Sequence, residues 1–153
     1  MHMTTLLNDE VRAWIGRSDT PQRVEITRRD IVKYAIASEQ RETRYLQGDE
    51  APPMFLFGAD RPLSALAQLG PDGLRADALL PVLPLKRVMA GGVKQRYHRA
   101  LVPGDVVHLK RTLRDIYEKQ GASGPLIFVV YEIDVTDANG QLVMQETQTR
   151  IVR

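Results

Sequence analysis

The chain has 153 residues, a 43% hydrophobic fraction and a formal charge of +2, which suits one globular domain over 1–153 and gives no electrostatic case for a nucleic-acid partner. It has no cysteine, which excludes disulfides, thiolate metal sites and a cysteine nucleophile; its three histidines, His2, His98 and His108, are too scattered for a metal cluster. No apolar run approaches the roughly 18 residues of a membrane span and Met1 to Thr5 has no signal-peptide pattern, so a cytoplasmic protein without a membrane partner is expected.

Residues 9–16 read as a short helix, with Asp9 as its N-cap, Val11, Trp14 and Ile15 as its apolar stripe and Gly16 as its end. Val24-Glu25-Ile26 is alternating and β-branched, and reads as a strand. Thr27-Arg28-Arg29-Asp30 has the form of a capping box and opens a helix at about 28–38. Ile31, Ala35 and Ser38 fall on one side of that helix, with Val32 and Ile36 beside them. Residues 39–51 are polar and read as loop, and Pro52-Pro53 stops any regular element. Met54-Phe55-Leu56-Phe57 with Leu63, Leu66, Ala67 and Leu69 predicts a buried helix, interrupted near Gly58 and Pro62 and followed by the turn Gly70-Pro71-Asp72-Gly73.

The last third turns to strands. Val93 to Leu101 is one, closed by Pro103-Gly104-Asp105; Val106 to Tyr117 is the next. In it Val107, Leu109 and Leu113 share one face while His108, Lys110, Thr112 and Arg114 share the other, the mark of a half-solvated strand. After the tip Lys119 to Gly124, the run Pro125 to Tyr131 is apolar on both faces and predicts a strand whose first half is buried on both sides. Asn139-Gly140 favours a type I′ hairpin turn into a final strand from Gln141 to about Val152. Helices first and long strands last give an α+β class. A curved antiparallel sheet wrapped around a central helix drawn from 54–69 is expected, although other α+β folds share the pattern.

Several stretches resemble the N-terminal domain of MaoC-like dehydratases and hydratases, in the branch of the mesaconyl-CoA hydratases and 3-hydroxyacyl-thioester dehydratases. They are Ala51 to Phe55, Leu69 to Gly73, Pro84 to Gly92, Val102 to Asp105 and Lys119 to Val129. Their order and spacing carry the resemblance, which spans most of the chain from about residue 20. It implies a hot-dog fold, an acyl-CoA or acyl-carrier-protein thioester as substrate, and reversible addition of water across a 2,3 double bond. No cofactor or metal is implied.

Such chemistry needs a base to activate water, an acid to protonate the α-carbon, and N–H donors facing the thioester oxygen. Members of the family supply an Asp and a His from a motif Asp-x-Asn-Pro-x-His after the first helix. The matching stretch here is Gln40-Arg41-Glu42-Thr43-Arg44-Tyr45, so Gln40 stands for the Asp and Tyr45 for the His. An amide is no base near neutral pH, and a phenol of pKa about 10 is a poor substitute for imidazole. A register slip would offer Glu39 or Glu42 as an alternative base, but no slip restores a histidine, because none lies between His2 and His98.

Each remaining candidate has a plainer alternative. Glu39 and Glu42 compete with being solvated loop carboxylates, Tyr45 as a pocket donor with simple packing, and His108 with a solvated place on the polar face of its strand. Gly91-Gly92 allows close approach of a substrate or marks a bend at the start of a curved strand. Lys119, Gly121 and Ser123 are candidate CoA-phosphate contacts or a plain hairpin tip. Arg87, in the basic stretch with Lys86, Lys94, Arg96 and Arg99, meets a CoA phosphate or an acidic carrier protein, or is a solubilising surface. Three functions stay open: a degenerate hydratase subunit needing a motif-bearing hot-dog partner, a non-catalytic homodimeric thioester-binding protein, and a hydratase or thioesterase with a non-standard carboxylate base.

Overall fold

The computed structural model describes residues 5–153; His2 and nearly all of the N-terminal stretch considered for a signal lie outside the described residues. The chain runs α1 (Asp9–Arg12), β1 (Gln22–Glu25), α2 (Arg28–Ala37), α3 (Thr43–Leu46), a 3-10 turn (Leu66–Gln68), β2 (Val88–Tyr97), β3 (Val106–Gly121), β4 (Gly124–Thr136) and β5 (Leu142–Val152). The strands form one antiparallel sheet in the order β1-β3-β4-β5-β2. Among the described residues no helix is long and apolar enough to cross a membrane.

The N-terminal elements follow their caps. Asn8, rather than Asp9, caps α1: its side chain accepts from the Val11 N–H at 2.8 Å, and Asp9 is the first helical residue. Thr27 caps α2, accepting from the Asp30 N–H at 3.1 Å and donating its hydroxyl to the Asp30 carboxylate at 2.8 Å. The helix buries Ile31 and Ala35, while Ile36 is exposed. Gly48 ends α3 at φ +73°, and a Cβ there would lie 2.7 Å from Arg28 Cγ and 2.8 Å from the Arg28 carbonyl; glycine is what lets the two helices meet.

The segment 54–69 is not a helix. Residues 53–60 are successive turns, and Leu63 and Leu66 are 100% and 87% exposed. Met54 and Gly58 have φ of 69° and 83°, and Pro62 follows, so helical hydrogen bonding is broken repeatedly. The helix packed on the sheet is α2: Ile31 lies in one apolar cluster with Leu56, Val107, Leu109, Ile133 and Val135. A second cluster holds Leu7, Val11, Leu79, Leu83, Leu113, Ile116, Ile127, Val129, Tyr131 and Val152.

Three strand expectations also change. β2 starts at Val88 and ends at Tyr97, because a bulge between Ala90 and Gly92 keeps Val88 to Ala90 paired with β5. β4 alternates along its length: Ile127, Val129 and Tyr131 are fully buried, while Leu126, Phe128 and Val130 are partly exposed, Phe128 stacking on Tyr117 at 5.1 Å. The β4–β5 turn is not type I′, since of its residues only Gly140 has positive φ, at 77°. Asp137 organises the turn, its carboxylate accepting from the N–H groups of Asn139 and Gln141 at 2.9 and 3.0 Å.

Candidate functional site

The loop expected to carry acid–base chemistry begins where α2 ends. Glu39 adopts φ 55°, the Glu39 N–H donates to the Ile36 carbonyl and the Gln40 N–H to the Ala35 carbonyl, closing a Schellman cap. Gln40 is partly buried, its amide 3.4 Å from Ser38 Oγ. Tyr45 is 6% exposed, with the Arg44 guanidinium 4.7 Å from its ring centre. Glu42 points to solvent and is held by Arg44 at 2.8 Å, its side chain 59% exposed. Near this loop the Met54 N–H donates to the Tyr97 hydroxyl at 3.3 Å, and Tyr97 donates to Gln95 Oε1 at 2.8 Å. Burial pushes the Tyr97 phenol above its ordinary pKa; the Met54 N–H opposes this, and Glu146, Tyr34 and Tyr45 reinforce it.

This chain of donors ends on a carboxylate that no motif announces. Glu146 on β5 is 2% exposed, and it accepts from the amides of both Gln95 and Gln148. Gln148 also lines a small cavity of about 200 Å³ with Phe57, Arg61, Gly92, Val93 and Arg150. Gly92 is thus at a cavity wall. Gly91 is the bulge residue, where a Cβ would lie 3.0 Å from Ile151 Cγ1 and from the Thr149 carbonyl oxygen.

A second polar group lies on the sheet floor. Arg111 of β3 is bound by Asp19 at 2.6 Å and by Asp77 at 2.7 Å, and Arg150 also pairs with Asp77. Both guanidiniums lie over the Tyr131 ring, at 4.7 and 5.0 Å. Burial raises the Asp77 carboxyl, but the hydrogen bonds and charge of Arg111 outweigh it and hold Asp77 down at about 2. Burial drives the Tyr131 hydroxyl up to about 12 while it donates to the Leu79 carbonyl at 3.2 Å. Asp19, Asp77, Arg111 and Arg150 floor a cavity of about 620 Å³.

The structure does not bring all the sequence candidates together. Lys119 stays on the β3–β4 hairpin, its ammonium 5.5 and 5.2 Å from the Tyr117 and Phe128 ring centres; Gly121 and Ser123 are at the tip of that hairpin. Arg87 is exposed just before β2, where its backbone pairs with Arg153. His98 and His108 are both exposed. Motif reading misses Arg111, Glu146, Gln148 and Arg150, which strand alternation finds because they occupy positions on otherwise buried faces. It also misses Asp19, Asp60 and Asp77, which come from loops.

A curled antiparallel sheet backed by a short helix defines the class, a hot-dog fold. The chain belongs to the FAS1-like dehydratase domain region family, whose model matches residues 13–146. It is 27% identical over 142 residues to the mesaconyl-C(4)-CoA hydratase of Chloroflexus aurantiacus, which covers 92% of this chain and 50% of that protein. The chain therefore spans about half the length of that relative. Its fold matches the ChsH1–ChsH2 complex of Mycobacterium tuberculosis, with a TM-score of 0.65, 19% identity, and 93% and 86% of the two chains covered. It also matches the C-terminally truncated HadBC (3R-hydroxyacyl-ACP dehydratase) complex of the same organism, with a TM-score of 0.62, 14% identity, and 90% and 96% covered.

Proposed function

We propose that this chain is the catalytically degenerate, thioester-binding half of a 3-hydroxyacyl-thioester dehydratase or enoyl-thioester hydratase, completed by a related hot-dog subunit that carries the Asp and His. The observation that carries this reading is the 40–45 loop. Its matched residues are an amide and a buried phenol, and the described histidines, His98 and His108, are exposed on other parts of the chain. A pair that must take one proton from water and give another to carbon has no base there and no imidazole.

Three further facts support it. The relative from C. aurantiacus is about twice as long as the stretch it shares with this chain and is named for a CoA thioester. Both structural neighbours described above were solved as complexes. Among the described residues the outer edge of β2 has no strand neighbour, and Val88, Met89, Val93 and Tyr97 are exposed along it, so an added strand or sheet would cover them. On this reading the exposed cations Arg87 and Lys119 and the Gly121–Ser123 tip are the groups free to meet CoA or carrier phosphates, and Gly92 sits beside the acyl path.

The test is hydration of crotonyl-CoA by the purified chain, followed by loss of enoyl-thioester absorbance. Missing both acid–base groups costs about 10²–10⁴ or more in rate, so the chain alone is expected to bind the thioester and turn it over at background. Adding a motif-bearing partner recovered by co-purification restores turnover, and Gln40→Asp with Tyr45→His raises the activity of the isolated chain. Robust turnover that survives Gln40→Ala and Tyr45→Phe overturns the reading. A homodimer that binds thioester but gains nothing from any co-purified chain would instead be the non-catalytic binding protein. Glu146 favours a second reading, in which this buried carboxylate is itself the base. Turnover by the isolated chain that disappears in Glu146→Gln, yet survives Glu42→Gln, would establish it.

A further inference from the structure

The larger cavity holds a feature that the hydration reading does not use. Asp60 lines it and its side chain is 2% exposed. One oxygen, Oδ2, is 3.9 Å from Arg111 Nε; the other, Oδ1, is buried with no hydrogen-bond partner. Arg111 does not need Asp60 for neutrality, because Asp19 and Asp77 already bind it closely. A buried carboxylate oxygen without a donor is costly, and native proteins keep such groups where something else donates to them. The space is about 620 Å³, far more than the ~30 Å³ share of one water and within the ~300–1,000 Å³ range of small-molecule sites.

The surroundings select the ligand. A hydroxyl donates to Oδ1 without adding a further cation beside Arg111 and Arg150. Arg61 and Arg75 also line the cavity and are exposed, the Arg75 guanidinium donating to Ser64 Oγ at 3.3 Å. Both cations are therefore available to an anionic group. We propose that this cavity binds a hydroxycarboxylate group, its hydroxyl donating to Asp60 and its carboxylate meeting Arg61 and Arg75. The group is either a free acid or the distal end of an acyl chain. The acyl-chain form rests on the thioester-binding reading above, whereas the free-acid form does not.

Calorimetric titration of the full chain with two matched pairs tests this: malate against succinate, and their CoA monothioesters against each other. Each pair differs by one hydroxyl. The hydroxylated member is expected to bind about tenfold to a hundredfold tighter, the range for a hydrogen bond to a charged group. Discrimination between the free acids identifies a free ligand; discrimination confined to the thioesters identifies an acyl tail only where Asp60→Ala abolishes it, because malyl-CoA is itself a 3-hydroxyacyl thioester. Discrimination that survives Asp60→Ala belongs to the hydration site and overturns the proposal. Asp60→Ala removes the difference while leaving the ligand-free melting temperature unchanged or higher, because an orphaned charge has gone. Equal binding within both pairs overturns the proposal and leaves Asp60 with a buried water only. So does unfolding of both Asp60→Ala and Asp60→Asn, which would make Asp60 a structural partner of Arg111.

Discussion

The 40–45 loop and the cluster around Arg111 each place an arginine beside carboxylates, with opposite physical results. In the loop, Arg44 holds Glu42 and Glu50 with half of its own side chain exposed. On the sheet floor, Arg111 holds Asp19 and Asp77 with 7% of its side chain exposed. Water screens the first group and makes it replaceable. The second is largely shielded from water, so removing one partner strands the others. The loop where chemistry is expected is therefore energetically slack, while the charges that matter to the fold converge on the strand residue Arg111.

The largest effect follows directly. Arg111→Met should destabilise the chain by about 3–5 kcal/mol, since it leaves Asp19 uncompensated and Asp77 with Arg150 alone. Arg44→Met should cost less than about 1 kcal/mol. Denaturant unfolding of the two variants measures both, and equal losses would break the contrast.

Acid titration sharpens it next. Asp77 is depressed from 3.8 to about 2 in the folded chain, so its contribution is complete above the unfolded pKa and is lost as pH falls through the folded one. Stability should drop by about 1–2 kcal/mol between pH 4.5 and pH 2 on this account, after discounting for partial exposure. Arg111→Met should flatten most of that drop, because its hydrogen bonds and charge are what lower the carboxyl. An unchanged acid limb in the variant would assign the depression to Arg150.

Local signals made α2 and β3 legible. Thr27 and Asp30 sit at cap spacing, and β3 alternates over enough residues to set its face. The same alternation, Val107-Leu109-Arg111-Leu113, puts Arg111 among buried neighbours, so an arginine on an apolar face was the available sign of the ion cluster. Its partners were not legible: Asp19 and Asp77 come from loops far apart in sequence, and only tertiary folding brings them together. The helix expected over 54–69 fails because apolar content is not periodicity. Leu56 is buried while Leu63 and Leu66 are exposed, and Met54, Gly58 and Pro62 break the backbone between them. Gln40 and Tyr45 are placed by the family resemblance, and the structure adds that Tyr45 is buried and that Glu42 is not.

A smaller effect tests the aromatic part of the floor. Tyr131→Phe keeps the ring beneath Arg111 and Arg150 but removes the donor to the Leu79 carbonyl. The expected loss is about 1 kcal/mol, read as a lowered melting temperature. A loss near that of Arg111→Met would mean that the hydroxyl, not the ion pairs, organises the cluster.

The smallest effect has the opposite sign and returns to the loop. Glu39 is the C′ residue of the α2 cap at φ 55°, a conformation that costs a side chain roughly 1 kcal/mol and glycine nothing. Its own side chain is exposed. Glu39→Gly should therefore stabilise the chain by about 0.5 kcal/mol, the relief of strain being offset in part by the greater freedom of glycine in the unfolded state. The cap bonds from the Glu39 and Gln40 N–H groups are backbone bonds and should persist, leaving Gln40 where it is. If the loop is chemically silent, this variant gains stability and, with a motif-bearing partner, loses no turnover. A gain in stability accompanied by lost turnover would show that the strained residue is kept for its carboxylate, and would make Glu39 the base of a site that is not degenerate.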